Sequence, residues 1–236
     1  MIKKKLNSDN SNMRDLTLII PTKSEVESLP IFLKELEGYN FAKLIVLQKE
    51  DIDTHEAISK IDNIDILVQK KKGYGNALIE GIKATKTEYC CIINADGSMN
   101  PKYLKSMLEK CKMNDLVFCS RYEKEAGSDD DSIVTLIGNT IFTFLGNILF
   151  RLKISDILFT YIIGKTSSFR QLNLKYHDFR ICVEIPIKAK KNKMNYVTIP
   201  SYERSRIGGK KKVNALKDGS LILFAMLNLF IINFLK

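Results

Sequence analysis

The sequence is poor in the residues that build chemical centres by themselves. Its two histidines, His55 and His177, are too few and too far apart for a histidine metal site. Its five cysteines include no C-x-x-C pair, and two of them, Cys90 and Cys91, sit side by side in an apolar run. That excludes a zinc framework and a disulfide scaffold, and it suits a reducing, cytoplasmic setting. No G-x-x-x-x-G-K-[ST] spacing occurs, so there is no Walker A loop. No repeat occurs at solenoid periods. Residues 1–15 are polar, lack the apolar stretch of a signal peptide, and are expected to form a loose tail. Negative charge is scarce as well: 27 acidic residues face 37 basic ones, giving +10. That balance predicts an anionic partner, whether nucleic acid, nucleotide or acidic membrane surface. The densest basic stretch, Arg204 to Lys212, has no aromatic stacking platform beside it, which weighs against nucleic acid.

What is present alternates. Apolar runs at Leu16–Pro21, Ala42–Leu47, Ile64–Val68, Tyr89–Ile93, Leu116–Cys119 and Tyr196–Pro200 are too short for helices and read as buried strands. Stretches with helical spacing separate most of them: Leu29–Leu36, a weak one from Thr54, Ala77–Ala84, Pro101 to about Lys112, and Val183–Lys191. This order predicts a doubly wound, Rossmann-like α/β fold with a mostly parallel sheet. The 236 residues suffice for one such domain, expected over 16–219, and an apolar C-terminal helix over 220–236.

Two helices have another character. Ile133–Phe150 gathers its apolar residues on one face and suits a membrane interface or a core about equally. Leu221–Leu235 is almost wholly apolar, yet at ~1.5 Å per residue it reaches only ~23 Å, short of the ~30 Å hydrocarbon core. The lysines before it, through Lys217, would face anionic headgroups. Peripheral or monotopic attachment to the cytoplasmic face of a membrane is expected.

Three stretches carry candidate chemistry. The Tyr89 strand runs into Asn94-Ala-Asp-Gly-Ser98, followed by Asn100-Pro101 as a helix start. Asp96 at a strand end, with an amide oxygen two residues earlier, can hold a divalent cation against phosphate oxygens; a capped turn is the plain alternative. Lys70 to Gly75 offers lysines and glycine-freed amides to an anion, or is a solvated turn. In the third, Arg204 to Lys212, Arg206 can grip a pyrophosphate bidentately. The acidic run Ser128–Ser132 reads as a solvated loop or helix cap.

In this order the motifs resemble a family 2 glycosyltransferase of the GT-A fold, nearest to the dolichol- and polyprenyl-phosphate sugar synthases. Leu18-Ile-Ile-Pro-Thr-Lys-Ser-Glu25 resembles the opening strand and turn, Gly73-Tyr-Gly-Asn-Ala77 the "GxGxA" loop, and Asn94-Ala-Asp96 the metal-binding "D-A-D". Ser120-Arg-Tyr122, Asp156, Glu184, and the segment from Pro200 through Arg206 to Lys212 complete the series. The resemblance implies an inverting sugar transferase using Mg²⁺ or Mn²⁺, a nucleotide-sugar donor and a lipid-linked or glycan acceptor. It assigns the metal to Asn94 and Asp96. It assigns the donor to Pro21, Glu25, Gln48, Lys72, Gly75, Asn94, Ala95, Asp96 and Arg121. Catalysis falls to Arg206, Lys212 and Asp156, the last as the base for a hydroxyl acceptor or, alternatively, as a helix-capping or ion-pair residue. Three departures stand out: Gln48-Lys-Glu-Asp51 replaces "D-D-G-S", Asn94 replaces the first metal Asp, and Ile162 lies near the place of a usual arginine. A family member that binds nucleotide or membrane without turnover is the alternative.

Overall fold

A computed structural model describes residues 15–209, 212 and 214–234. Most of the expected tail, residues 1–14, lies outside them, as do Lys210 and Lys211. Six of the seven strands in the main sheet come from the expected runs: β1 (Leu16–Thr22), β2 (Ala42–Gln48), β3 (Asp65–Gln69), β4 (Tyr89–Ile92), β5 (Leu116–Ser120) and β8 (Tyr196–Pro200). A strand not anticipated, β7 (Ile162–Lys165), slots antiparallel between β4 and β5, giving the order β3-β2-β1-β4-β7-β5-β8. All other pairs in this sheet are parallel. Pro21 does not end β1, which runs on to Thr22. The register with β4 stops at Ile19 opposite Ile92, so the missing proline N–H costs no rung on that side.

Side-chain alternation builds a core on each face of the sheet. Leu18, Ile20 and Cys91 face Phe32 and Leu33 of α1 (Ser28–Glu35) and Met107 of α4 (Leu104–Cys111). Ile19, Val46 and Cys90 face Leu78 of α3 (Tyr74–Ala84), Phe169 of α6 (Thr166–Gln171) and Ile185 of α7 (Ile181–Lys191). A short α2 (Ile52–Ile58) follows β2. Adjacent cysteines thus serve opposite cores, and burial raises both thiols. All five cysteines are buried and free.

A third core belongs to the two long apolar helices. The first, α5 (Ile133–Phe150), starts at a capping box between Ser132 and Thr135 and stops at Arg151 in the left-handed region. The last helix, α8 (Ala215–Phe234), begins six residues before the expected start at Leu221. Asn214 explains the difference: its side chain accepts from the Lys217 N–H at 3.0 Å, and its own N–H donates to Asp218 at 2.7 Å. One side of α8 (Ile222, Ala225, Met226, Leu229) packs on Phe150, Ile154, Val183 and Ile187. The nearly all-round apolar helix is therefore docked on the domain along one face. The opposite faces of α8 and α5 leave apolar side chains exposed: Ile137, Ile141, Phe144 and Ile148 on α5, Phe224, Leu227 and Ile231 on α8.

Candidate active site

Brought together at the carboxyl ends of the central strands are the Asp96 turn, the turn after β1, and the strap that follows β9 (Tyr202–Glu203). Asp96 is nearly buried. Its Oδ1 accepts from the Ser98 N–H at 3.1 Å and the Ser98 hydroxyl at 2.9 Å, which fixes the carboxylate. Its Oδ2 faces Nη1 of Arg206 at 3.6 Å. The strap is laced to the turn by backbone bonds, Arg204 N–H to the Ser98 carbonyl at 2.9 Å and Ile207 N–H to the Asp96 carbonyl at 2.8 Å. Gly97 permits that closeness: its φ is +74°, and a Cβ there would strike the Ile207 side chain.

Asn94 has a partner within the protein as well. Its Oδ1 accepts from the Tyr74 hydroxyl at 3.2 Å, and that hydroxyl also bonds Thr160 at 2.7 Å. Tyr74 is stacked on Phe179 with centroids 4.9 Å apart, and burial raises its phenol. One lone pair of the amide oxygen is thus taken, and Asp96 is the only carboxylate of the turn. Among the described residues no group of three or more His, Cys, Asp and Glu could hold a metal. One carboxylate and one amide oxygen fit a hard cation whose remaining ligands are diphosphate oxygens and water. The donor set suits a cation shared with a nucleotide.

The turn after β1 carries Glu25, 7% exposed. It accepts from the Ser28 hydroxyl at 2.5 Å and pairs with Lys212, so two expected site residues meet. Gly209 closes over the pair, where a Cβ would lie 3.2 Å from a Glu25 oxygen. Pro21 and Ala95 are buried in the walls of the site. Gln48 and Gln69 end β2 and β3 opposite one another, and with Glu50 and Lys72 they line an open cleft of about 420 Å³. Lys72 pairs with Glu50 at 3.2 Å, both well exposed. That contact and the Glu50 backbone hold the Glu50 carboxyl low, the backbone contributing more.

Three expectations are corrected. At the start of the Lys70–Gly75 loop two amides are not free, because the N–H groups of Lys70 and Lys71 already hold the Glu80 carboxylate at 2.8–3.2 Å. Gly75 is there for packing: a Cβ would strike the Tyr176 carbonyl, and the next N–H, that of Asn76, donates to the His177 carbonyl at 3.2 Å. That glycine lets the two chain segments cross. Glu184, on α7, likewise caps backbone, accepting from the Lys175 and Tyr176 N–H groups.

Arg121 and Asp156 are the second correction. Asp156 has no exposed side-chain surface. It accepts from Arg121 Nε at 2.7 Å and Nη2 at 3.1 Å, from the Arg121 N–H at 3.2 Å, and from Asn139 at 2.7 Å. A carboxylate so saturated and enclosed has neither the lone pair nor the access a base needs; it is the ion-pair residue. Arg121 spends its remaining nitrogen on Asp131 at 3.2 Å and Glu203 at 3.0 Å, over the Phe159 ring, so each of its three nitrogens has an acidic partner within the protein. Burial would lower the Arg121 pKa, but Asp156 and Glu203 outweigh it and raise it. Burial raises Glu203 despite Arg121.

The third concerns the acidic run. Its last residue, Ser132, is the helix cap that was expected, but the run is not a solvated loop, because it also seats arginines: Asp131 takes Arg121, and Asp130 takes Arg206 at 2.8 and 3.1 Å. Asp130, Glu203, Tyr74 and Asn139 escaped sequence reasoning. For the first two the signal was faint, an acid placed among residues that only a parallel two-strand rung (Ser128 of β6, Gly127–Ser128, opposite Glu203) brings together.

Comparison with known proteins agrees with the fold. The family model described as "Glycosyl transferase family 2" matches residues 17–172. Uncharacterized glycosyltransferases of Mycobacterium bovis and Mycobacterium tuberculosis are 26% identical over 209 residues, covering 88% of this chain and 93% of theirs. Among solved structures, glucosyl-3-phosphoglycerate synthase from Mycobacterium tuberculosis, in complex with Mn²⁺, UDP and phosphoglyceric acid, superposes with a TM-score of 0.67 at 13% identity. It covers 92% of this chain and 78% of that one. The same enzyme with Mg²⁺ and UDP gives 0.66 at 12% identity, covering 96% and 84%.

Proposed function

The chain belongs to glycosyl transferase family 2, and on that premise we propose that it moves a sugar from a nucleotide diphosphate to an anionic acceptor at a membrane surface. The observation that carries the donor half is the pairing of Asp96 and Arg206 Nη1 at the strand ends, 3.6 Å apart. A diphosphate lodged there would meet a carboxylate suited to a shared cation and a guanidinium in one place. Asp96, with the Asn94 oxygen beside it, would hold Mg²⁺ or Mn²⁺, which supplies neutralisation of the diphosphate charge. The nucleoside would lie in the cleft by Gln48 and Gln69. As the bond from the anomeric carbon to the diphosphate oxygen breaks, that oxygen keeps the electron pair. Arg206 and Lys212 stabilise the charge that appears there. The acceptor oxygen forms the new bond from the opposite face, inverting the centre.

Asp156 being consumed, an acceptor that is already anionic fits best, since a phosphate oxygen needs no base. A polyprenyl or other lipid phosphate has that chemistry. Exposed Ile137, Phe144 and Ile148 on α5 and Phe224 and Ile231 on α8, helices that pack on each other, support seating on the cytoplasmic leaflet. Docking along one face of α8 favours lying in the interface over spanning it.

The test is calorimetry with UDP and GDP, each with and without Mn²⁺, followed by turnover of the matching sugar nucleotide. Metal-dependent binding that Asp96→Ala abolishes while the circular dichroism stays unchanged is the expected result. Binding that survives Asp96→Ala overturns the site, and binding without turnover of any sugar nucleotide selects the non-catalytic alternative. Flotation with anionic liposomes tests the surface: protein left wholly in the soluble fraction removes the membrane acceptor from the reading.

A further inference from the structure

A guanidinium aimed at a leaving group must be held, because an arginine on a flexible stem loses much of its effect to its own freedom. Two of the three nitrogens of Arg206 are held by one residue. Oδ1 of Asp130 takes Nε at 3.1 Å and Oδ2 takes Nη2 at 2.8 Å, the two-pronged arrangement in which one edge of the guanidinium is occupied. The opposite edge is left. Its Nη1 is the atom that faces Asp96 at 3.6 Å.

Asp130 is itself fixed, and by the same strand that leads to Arg206. Its N–H donates to the Ser128 hydroxyl at 3.1 Å, and that hydroxyl donates to Glu203 at 2.6 Å. The preceding N–H, of Asp129, donates to the Glu203 carbonyl at 2.9 Å. Three residues beyond Glu203 comes Arg206, and the next N–H is bonded to the Asp96 carbonyl. Carboxylate, guanidinium and Asp96 turn therefore share one frame.

We propose that Asp130 is the positioning residue of the transfer: it clamps the Nε–Nη2 edge of Arg206 and so presents Nη1 to the departing diphosphate. The proposal rests on the reading of Arg206 as the group that stabilises the leaving diphosphate. Without Asp130 the guanidinium turns freely and is drawn onto the Asp96 carboxylate, where it competes with the cation instead of facing the phosphate.

Nη1 meets extra charge only when the terminal phosphate is free, so the readout is the ratio of affinities for UDP and UDP-glucose. It is measured by calorimetry with Mn²⁺ on the full chain, with GDP and GDP-mannose as the second probe pair. Arg206→Ala should weaken the nucleoside diphosphate about tenfold more than the sugar nucleotide. Asp130→Ala should shift the ratio in the same direction, Asp130→Asn less, and the double variant no further than Arg206→Ala alone. Where the wild type turns the donor over, Asp130→Ala should lower kcat with KM little changed. Asp129→Asn, which neutralises the neighbouring acid while its Oδ1 can still accept from the Tyr202 hydroxyl and leaves Arg206 untouched, should leave the ratio unchanged. An unchanged ratio in Arg206→Ala, or no binding of either pair to the wild type, overturns the reading of Arg206 and this proposal with it. A shifted ratio in Arg206→Ala with none in folded Asp130→Ala or Asp130→Asn overturns the proposal alone. So does an additive double variant, or an Asp129→Asn effect as large as that of Asp130→Ala.

Discussion

The two ends of the strand-end crevice treat charge in opposite ways. At the β2–β3 end, Glu50 and Lys72 form a pair that keeps most of its water, with side chains 63% and 71% exposed. At the β5–β8 end, Arg121 and Asp156 form a pair with 10% and 0% exposed. The first can let go of its partner at small cost and leaves room for a ligand. The second cannot, because each charge would be stranded in a poorly solvated place. Solvation, more than residue type, separates a side chain able to meet substrate from one that builds the wall behind it. Arg206 stands between the two, 22% exposed and tied to Asp130 along one edge, with Nη1 on the other edge facing Asp96.

The sharpest way to break this contrast is Asp156→Ala. It strands Arg121 beside Phe159 and should cost about 3–5 kcal/mol, read as a fall in urea midpoint at constant slope. A loss below ~1 kcal/mol would make the cluster as loosely coupled as a surface pair. A second, smaller effect follows from Glu203, whose carboxyl is raised by burial. In the window above the unfolded glutamate value the native state binds more protons than the unfolded one, so this group's contribution falls as pH rises through its folded pKa. Glu203→Gln removes that dependence, so its Tm relative to wild type should climb from pH 4 to pH 7. A difference that is flat or falls with pH would show Glu203 to be an ordinary carboxylate. The smallest effect belongs to Lys72→Ala, expected to change stability by no more than ~0.5 kcal/mol. Its consequence should instead be weaker nucleotide binding if the cleft by Gln48 is the nucleoside seat.

The strands were legible because parallel strands buried on both faces read as continuous apolar runs, as Leu16–Ile20 and Leu44–Leu47 do. β7 was not, since Ile162–Lys165 holds only two strongly apolar residues before a glycine. β6 and β9 are two residues each and exist through a rung that no local pattern announces. In the site, Asp96 was readable from a strand–turn–helix signature confined to a dozen residues. Arg121 was readable as a motif but not as a role. Its partners lie 10, 35 and 82 residues away in the chain, and only the folded sheet brings Asp131, Asp156 and Glu203 round it. In the lysine–glycine loop the amides of Lys70 and Lys71 have a local anion, Glu80, one helical stretch on. Nothing in the spacing distinguishes a private carboxylate from a visiting phosphate.

The antiparallel insertion of β7 bears on how the chain comes off the ribosome. β4 and β5 are consecutive in sequence among the sheet strands, but neither pairs with the other; each waits for Ile162–Lys165 to fill the space between them. At ~5–20 residues per second, several seconds pass between synthesis of Ser120 and of Lys165. During that interval β4 and β5 offer bare edges, made of Cys90-Cys91-Ile92 and Val117-Phe118-Cys119, to any neighbouring nascent chain. Newly made protein should depend on chaperones more heavily than a sheet of this size closed in sequence order would, and slowing translation between 121 and 161 should raise the aggregated fraction.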